Sequence, residues 1–246
     1  MVDRLFDVIP SRIEQRIEAQ VNEMAQRKAK KPANGARTVP FLTISRQYGC
    51  EAMTLAEQLA PRLAAAEGNT GAKWQIFNRQ ILETLSQQEH LSERLLDALD
   101  IHTRGGIEEF FDTLIGQAPS DIHVLKMLVR TERALALLGH CIIIGRGGVL
   151  LTAGLAGGIH VRLVAPDTWR MKNLITRFNW PEQKARMVLH EEANARHSFY
   201  YKYLGQDVSN PLLYDLTLNT SRADRDEQAS AIAGLFKERF HLNPKP

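Results

Sequence analysis

The residues with the greatest chemical capacity in this 246-residue chain are arginines placed beside glycines and just beyond short apolar runs. Ser45-Arg46-Gln47-Tyr48-Gly49-Cys50-Glu51-Ala52-Met53-Thr54 follows one such run and leads into a helical stretch. Strand, loop and helix in that order make an anion cradle, because loop N–H groups and the positive helix end attract the same charge. Gly145-Arg146-Gly147-Gly148 follows a second run. Its glycines admit close backbone approach, and an arginine there suits a phosphate dianion bidentately. Asn78-Arg79 follows a third run, Ala165-Pro166-Asp167 with Arg170, Lys172 and Arg177 beyond it a fourth, and Asn219-Thr220-Ser221-Arg222 a fifth. The chemistry these residues suit is the binding of several phosphates together. Each arginine also has a plainer reading as a surface or salt-bridging residue; Arg196 sits four residues after Glu192, the spacing of a helix ion pair.

The elements that must position these loops follow from periodicity. The β-rich runs are Phe41–Ser45, Trp74–Phe77, Cys141–Ile144, Ile159–Val164 and Tyr214–Asn219. Cys-Ile-Ile-Ile is apolar throughout, as a strand buried on both faces should be. Thr54–Ala66, Arg79–Glu89, Ser120–Leu138, Thr168–Phe178, Pro181–Leu204 and Arg225–Phe240 read as helices. Strands alternating with helices imply right-handed βαβ units, a five-stranded parallel sheet and ligands beyond the carboxyl ends of its strands. Residues 80–138 are too long for one crossover helix and predict a helical insert.

Residues 10–26 predict a further helix, with a Ser11/Glu14 capping box and an apolar stripe of Ile13, Ile17, Val21 and Met24. The stretch from Arg27 to Arg37 is a basic linker, so residues 1–37 form an N-terminal arm and 38–246 the main domain. The stripe offers a face for packing on the core or on a second copy of the chain. The net charge of +3 lies wholly within residues 1–37, leaving the rest neutral, so nucleic acid is a weak expectation confined to the arm. Two cysteines make no disulfide framework and no zinc spacing, which places the chain in a reducing, cytoplasmic compartment. No apolar stretch is long enough to span a membrane, and the first residues lack the apolar core of a signal peptide.

Phe41-Leu42-Thr43-Ile44-Ser45-Arg46-Gln47-Tyr48-Gly49, Asn78-Arg79, Ile142-Ile143-Ile144-Gly145-Arg146-Gly147 and Tyr214-Asp215-Leu216-Thr217-Leu218-Asn219-Thr220 occur in this order. Together they resemble the cytidylate kinase-like family, relatives of nucleoside-monophosphate kinases, over roughly residues 39–240. The resemblance implies a P-loop NTPase-type three-layer α/β sandwich with a helical lid. It implies an ATP- or GTP-dependent phosphotransferase with Mg²⁺, most plausibly acting on CMP. By the same resemblance Ser45, Arg46, Gly49, Cys50, Glu51, Ala52, Met53 and Thr54 would cradle the donor phosphates, and the Thr54 hydroxyl would touch the metal. Asn78, Arg79, Gly145, Arg146 and Gly147 would hold the acceptor. Arg146, Arg170, Arg177 and Arg196 would be the catalytic arginines, with Arg170 and Arg177 opening the lid.

The sequence departs from the family pattern in the loop. The motif G-x-x-x-x-G-K-[ST] is absent, and Ala52 stands where nucleoside-monophosphate kinases carry a lysine. Glu51 and Ala52 replace a Gly-Gly pair, Met53 replaces a basic residue, and Asn78 and Asn194 replace acidic ones. A carboxylate beside a triphosphate repels it by ~1–4 kcal/mol at 4 Å. These departures keep open a second class of function, a nucleotide-binding sensor or interaction module without catalysis. Cys50 reads as a small loop residue, His190 and His197 as surface residues, and the Phe199–Tyr203 aromatics as helix packing.

Overall fold

A computed structural model of the chain describes residues 18–26, 39–68, 73–87, 89–115, 122–145 and 147–241. These fall into two compact units, residues 38–79 with 139–246 and residues 1–37 with 80–138.

The first unit is built on five parallel strands: β1 (Phe41–Arg46), β2 (Gln75–Asn78), β3 (Cys141–Ile144), β4 (Gly158–Val164) and β5 (Leu216–Asn219). Their order is β2-β3-β1-β4-β5, so β1 is central and the chain leaves it in both directions. That reversal is the switch point at which α/β sheets bind ligands. Ile142, Ile143 and Cys141 are wholly buried, as the all-apolar run requires. β2 begins one residue later than its apolar pattern suggests, because Gln75 is the residue that pairs with Cys141. β5 omits Tyr214 and Asp215, whose side chains turn to Ser45 and Arg239.

Helices α2 (Ala52–Ala66) and α10 (Arg225–Arg239) cover one face of the sheet. Leu55, Leu59 and Leu63 recur at steps of four and meet Leu42, Ile44, Val161, Leu163 and Phe236 in a single apolar cluster. Asp224 and Glu227 form a reciprocal capping box that starts α10 sharply. On the other face β1 and β4 are polar: Thr43 bonds His160 at 2.8 Å, and Ser45 lies opposite Arg162. Helices α7 (Gly148–Leu151), α8 (Asp167–Phe178) and α9 (Glu182–Leu204) complete the unit. Asn179 ends α8 at φ 50°, and Trp180 then packs with Leu174, Ala185 and Leu189 in a small cluster of its own. The α8–α9 hairpin stands where the sequence predicts the lid.

The second unit is helical: α1 (residues 18–26), α3 (Arg79–Gln87), α4 (Glu89–Asp97), α5 (Ile101–Ile115) and α6 (Ile122–Leu138). The first residue of α3, Arg79, belongs to the sheet unit. Ser92 bonds the Leu85 carbonyl at 2.8 Å and Thr131 at 3.0 Å, tying α4 to its neighbours. Glu108 receives Arg130 at 2.6 Å and Lys126 at 3.2 Å, which hold its carboxyl below the usual range against the opposing effect of burial. Arg94 of α4 lies 3.5 Å from Glu18 of α1. The first half of the predicted helix 10–26 and the basic linker lie outside the described residues.

Candidate functional site

The loop from Ser45 to Thr54 is shaped from α8. Arg170 is 4% exposed; it donates to the Ala165 carbonyl at 3.0 Å, to the Tyr48 carbonyl at 3.1 Å and to Asp167 at 2.5 Å. Asn173 donates to the Gly49 carbonyl at 3.2 Å, and the Gln47 side chain accepts the Ala165 N–H at 2.9 Å. Gly49 has φ +92°, and a Cβ there would lie 2.9 Å from Arg170 Cβ and 3.0 Å from its carbonyl oxygen. Only glycine fits that position. The resemblance makes Arg170 catalytic; in the structure its hydrogen bonds to loop carbonyls and Asp167 also give it a part in setting the loop's shape.

No side chain caps α2, which leaves its N-terminus an anion-attracting end beside the loop. Glu51 precedes that helix at φ 27°, in the left-handed region. Its carboxylate accepts a hydrogen bond from Arg225, and Arg177 Nη1 lies 3.9 Å away. The sequence marks Glu51 as a repulsive charge. Two arginines from distant elements meet it, so the group as a whole is cationic. Ala52 is 5% exposed and belongs to the apolar core, with Met53 packed against it, so the position of the missing lysine supplies no cation. Cys50 is buried, and burial pushes its thiol up against the opposing Thr220 hydrogen bond. A neutral thiol is therefore the resting form. Thr54 is half-buried in the first turn of α2.

A second group gathers beyond the carboxyl ends of β1 and β2. Burial, together with Arg196 and Arg79 nearby, pushes the Arg46 guanidinium down to about 10. Arg196 donates to the Arg46 carbonyl, and Arg79 lies 3.9 Å from Glu192. The structure thus brings Arg46, Arg79 and Arg196 into one electrostatic cluster from β1, α3 and α9. Tyr200 of α9 is 1% exposed, and its hydroxyl accepts the Gly147 N–H at 2.8 Å. That bond fastens α9 to the glycine turn after β3. Gly147 holds φ +93° there. Arg146 itself lies outside the described residues. Asn78 ends β2 next to Arg79.

Two cavities flank the loop. The larger, about 450 Å³, is lined by Cys50, Glu51, Trp169, Thr220, Arg225 and Gln228 among others, a volume suited to a nucleoside. The smaller, about 130 Å³, is lined by Ser45, Arg46, Arg162, Arg170, Arg196 and His197 among others. Arg162, Tyr200 and Arg225 are the residues that the sequence does not single out for the site. Arg162 carried a signal: with His160 it puts polar residues at alternate positions of β4. The partners of Arg225 and Tyr200 lie 174 and 53 residues away, beyond any local pattern.

Among the described residues no cluster of three His, Cys, Asp or Glu could hold a metal ion, and no helix is long and apolar enough to cross a membrane. No curated protein sequence matches the chain. The crystal structure of an uncharacterized protein from Eubacterium ventriosum ATCC 27560 superposes with a TM-score of 0.58 at 13% identity, covering 82% of this chain and 100% of that one. That likeness carries the fold alone, an α/β architecture on a five-stranded parallel sheet that is consistent with a P-loop-like fold. The family model for the cytidylate kinase-like family matches residues 41–222, from the first residue of β1 to the arginine after β5. The chain belongs to the cytidylate kinase-like family, and that membership points to a nucleotide kinase-like function.

Proposed function

We propose that the chain transfers the γ-phosphoryl of ATP or GTP to a nucleoside monophosphate, most plausibly CMP. The observation that carries this reading is the gathering of Arg46, Arg79 and Arg196 beyond the strand ends, next to a loop that opens on an uncapped helix N-terminus. Phosphoryl transfer asks a protein chiefly for positioning and charge stabilisation, and arginines supply both.

The donor's nucleoside takes the larger cavity, with its phosphates running along Gly49–Thr54 toward the N-terminus of α2. Arg177 and Arg225 neutralise Glu51 and face the donor side. The acceptor lies toward Asn78, Arg79 and the Gly145–Gly147 turn, where Arg146 binds its phosphate. Arg196 reaches between the two from α9. The missing lysine is replaced in this account by Arg46 and Arg196, which approach from β1 and α9 instead of from the helix start.

The chain's own residues fit a Mg²⁺ that arrives on the donor. Glu51 is engaged by two arginines, and the loop offers the Thr54 hydroxyl as a single oxygen ligand. When bound, that ion neutralises donor phosphate charge.

The test is nucleoside diphosphate release from ATP or GTP with Mg²⁺ across CMP, UMP, AMP, GMP and no acceptor. Arg146→Ala and Arg196→Ala serve as controls. Turnover with one monophosphate, lost in both variants, is the expected result. Nucleotide binding with no turnover across the panel would overturn it and identify a binding module. Val21 and Met24 of the N-terminal stripe are buried within the chain; a homodimer contact is proposed on the rest of the N-terminal helix, which chain mass in solution before and after removal of residues 1–37 checks.

A further inference from the structure

The smaller cavity contains a residue that the account above does not use. Arg162 stands on β4 directly opposite Ser45 of β1, on the polar face of the sheet. It is only 9% exposed, and its Nη1 is shielded from solvent without a hydrogen-bond partner. A buried cationic donor left unbonded is costly, and native proteins carry few of them. The Tyr214 ring, 5.4 Å from the guanidinium carbon, holds the group in place. Tyr214 is fixed in turn through its hydroxyl, which donates to the Val208 carbonyl at 3.0 Å and lies 3.2 Å from Ser45 Oγ.

The surroundings add charge of the same sign. Arg46, Arg162, Arg170 and Arg196 all line this space, and among the described residues no carboxylate does. Arg170 is compensated by Asp167. Asp207, the carboxylate that feels both Arg162 and His197, accepts from the Ser209 N–H at 2.8 Å and from its hydroxyl at 2.5 Å. Glu192 acts on Arg46 from outside the lining and lies 3.9 Å from Arg79. Arg46, which has lost part of its basicity to burial and to Arg196, follows Ser45, the residue opposite Arg162, at the end of β1. At about 130 Å³ the space holds a single phosphoryl group and excludes a nucleoside.

We propose that this cavity is a tetrahedral oxyanion site in which Arg162, with Arg46 and Arg196, binds a phosphoryl dianion. The inference rests on the phosphotransferase reading for the identity of the anion, and it adds a residue from β4 to the arginines of the loop and lid. The shared chemistry is that of a phosphate, either free or at the end of a nucleotide.

The experiment titrates the full-length protein with inorganic phosphate and, separately, with CMP and cytidine, without any donor nucleotide. Binding is read by calorimetry and by the shift in melting temperature. The wild type should bind phosphate and gain melting temperature. CMP binding tighter than phosphate, with cytidine silent, assigns the site to a nucleotide phosphate; equal affinities assign it to the free anion. Arg162→Met should weaken phosphate binding by roughly tenfold or more, the loss expected for a charge-assisted hydrogen bond. It should leave the melting temperature in phosphate-free buffer unchanged or raised, because it removes a buried cation whose Nη1 has no hydrogen-bond partner. A merely structural arginine would lower it.

Arg162→Lys keeps the charge and stem and should show intermediate affinity, which provides a reading if the methionine variant folds poorly. No phosphate binding by the wild type would overturn the proposal, as would full wild-type affinity in either variant. Turnover does not enter this readout. A wild type that binds no phosphate yet turns over would remove this site alone, and phosphate binding by the wild type without turnover on any acceptor would remove the kinase reading alone.

Discussion

The two cavities beside the Ser45–Thr54 loop are built from similar residue types and treat charge in opposite ways. In the larger, the charges answer one another: Glu51 meets Arg177 and Arg225, and Asp226 meets Arg62. In the smaller, guanidinium groups from β1, β4, α8 and α9 crowd together, and Arg170 among them is paired with Asp167. Paired surface charges contribute little to stability and leave a site neutral enough for a base and sugar. Crowded arginines cost stability and create a field that a dianion relieves. On the proposed function, the difference separates the side of the loop that takes a nucleoside from the side that handles the phosphoryl group.

That contrast can be broken most severely at Arg196. Arg196→Ala should lower kcat/KM for phosphoryl transfer by about 10²–10³, the loss typical of removing one transition-state donor. Melting temperature should barely change; a parallel fall in stability would make Arg196 structural. Next in size is Gly49→Ala. A Cβ would collide with Arg170 at a φ of +92°, so urea denaturation should reveal a cost of about 1–3 kcal/mol and nucleotide binding should weaken. Unchanged stability would mean the loop relaxes freely.

Smaller effects sharpen the donor side. Glu51→Gln removes the carboxylate and releases two arginines. ATP affinity should rise about fivefold, equivalent to ~1 kcal/mol for one charge at 4 Å in water, and calorimetry checks the direction. Weaker binding would mean that Glu51 itself holds the metal. The smallest effect concerns Cys50. Burial raises its thiol pKa, so the thiolate fraction at pH 7 is below that of a free cysteine and increases only at more alkaline pH. Alkylation of the native protein should therefore be slower than that of the urea-unfolded chain, and equal rates would contradict the buried position.

Much of this arrangement was legible in the sequence, and the illegible part has a physical cause. Cys141–Ile144 declared itself because a doubly buried strand is apolar at every position. The helix at Ala52–Ala66 declared itself through leucines at steps of four. The loop between them and β1 followed from its glycine and its place before a helix. The helix read over Arg79–Glu89 is met by α3 (Arg79–Gln87) and by the first residue of α4, Glu89, with residue 88 outside the described residues.

Charge was the less legible layer. Glu51 looked like a repulsive intruder because its compensating arginines lie on α8 and α10, which only the fold brings near. Arg170 is catalytic by the family resemblance, and its hydrogen bonds to the Ala165 and Tyr48 carbonyls, which no local pattern announces, also let it shape the loop. Arg162 was hidden inside a strand, where a charge usually reads as an outward-facing residue. Local pattern fixes which elements form; the sign of a site depends on which charges those elements leave unpaired.

The most direct test of the central claim, that arginines replace the loop lysine in a working phosphotransferase, follows the phosphoryl group itself. ATP labelled at its γ-phosphate is incubated with CMP, Mg²⁺ and the wild-type protein, and the nucleotides are separated. The account predicts label in CDP, abolished by Arg196→Ala. Label remaining wholly in ATP, with ATP bound to the protein, would contradict it.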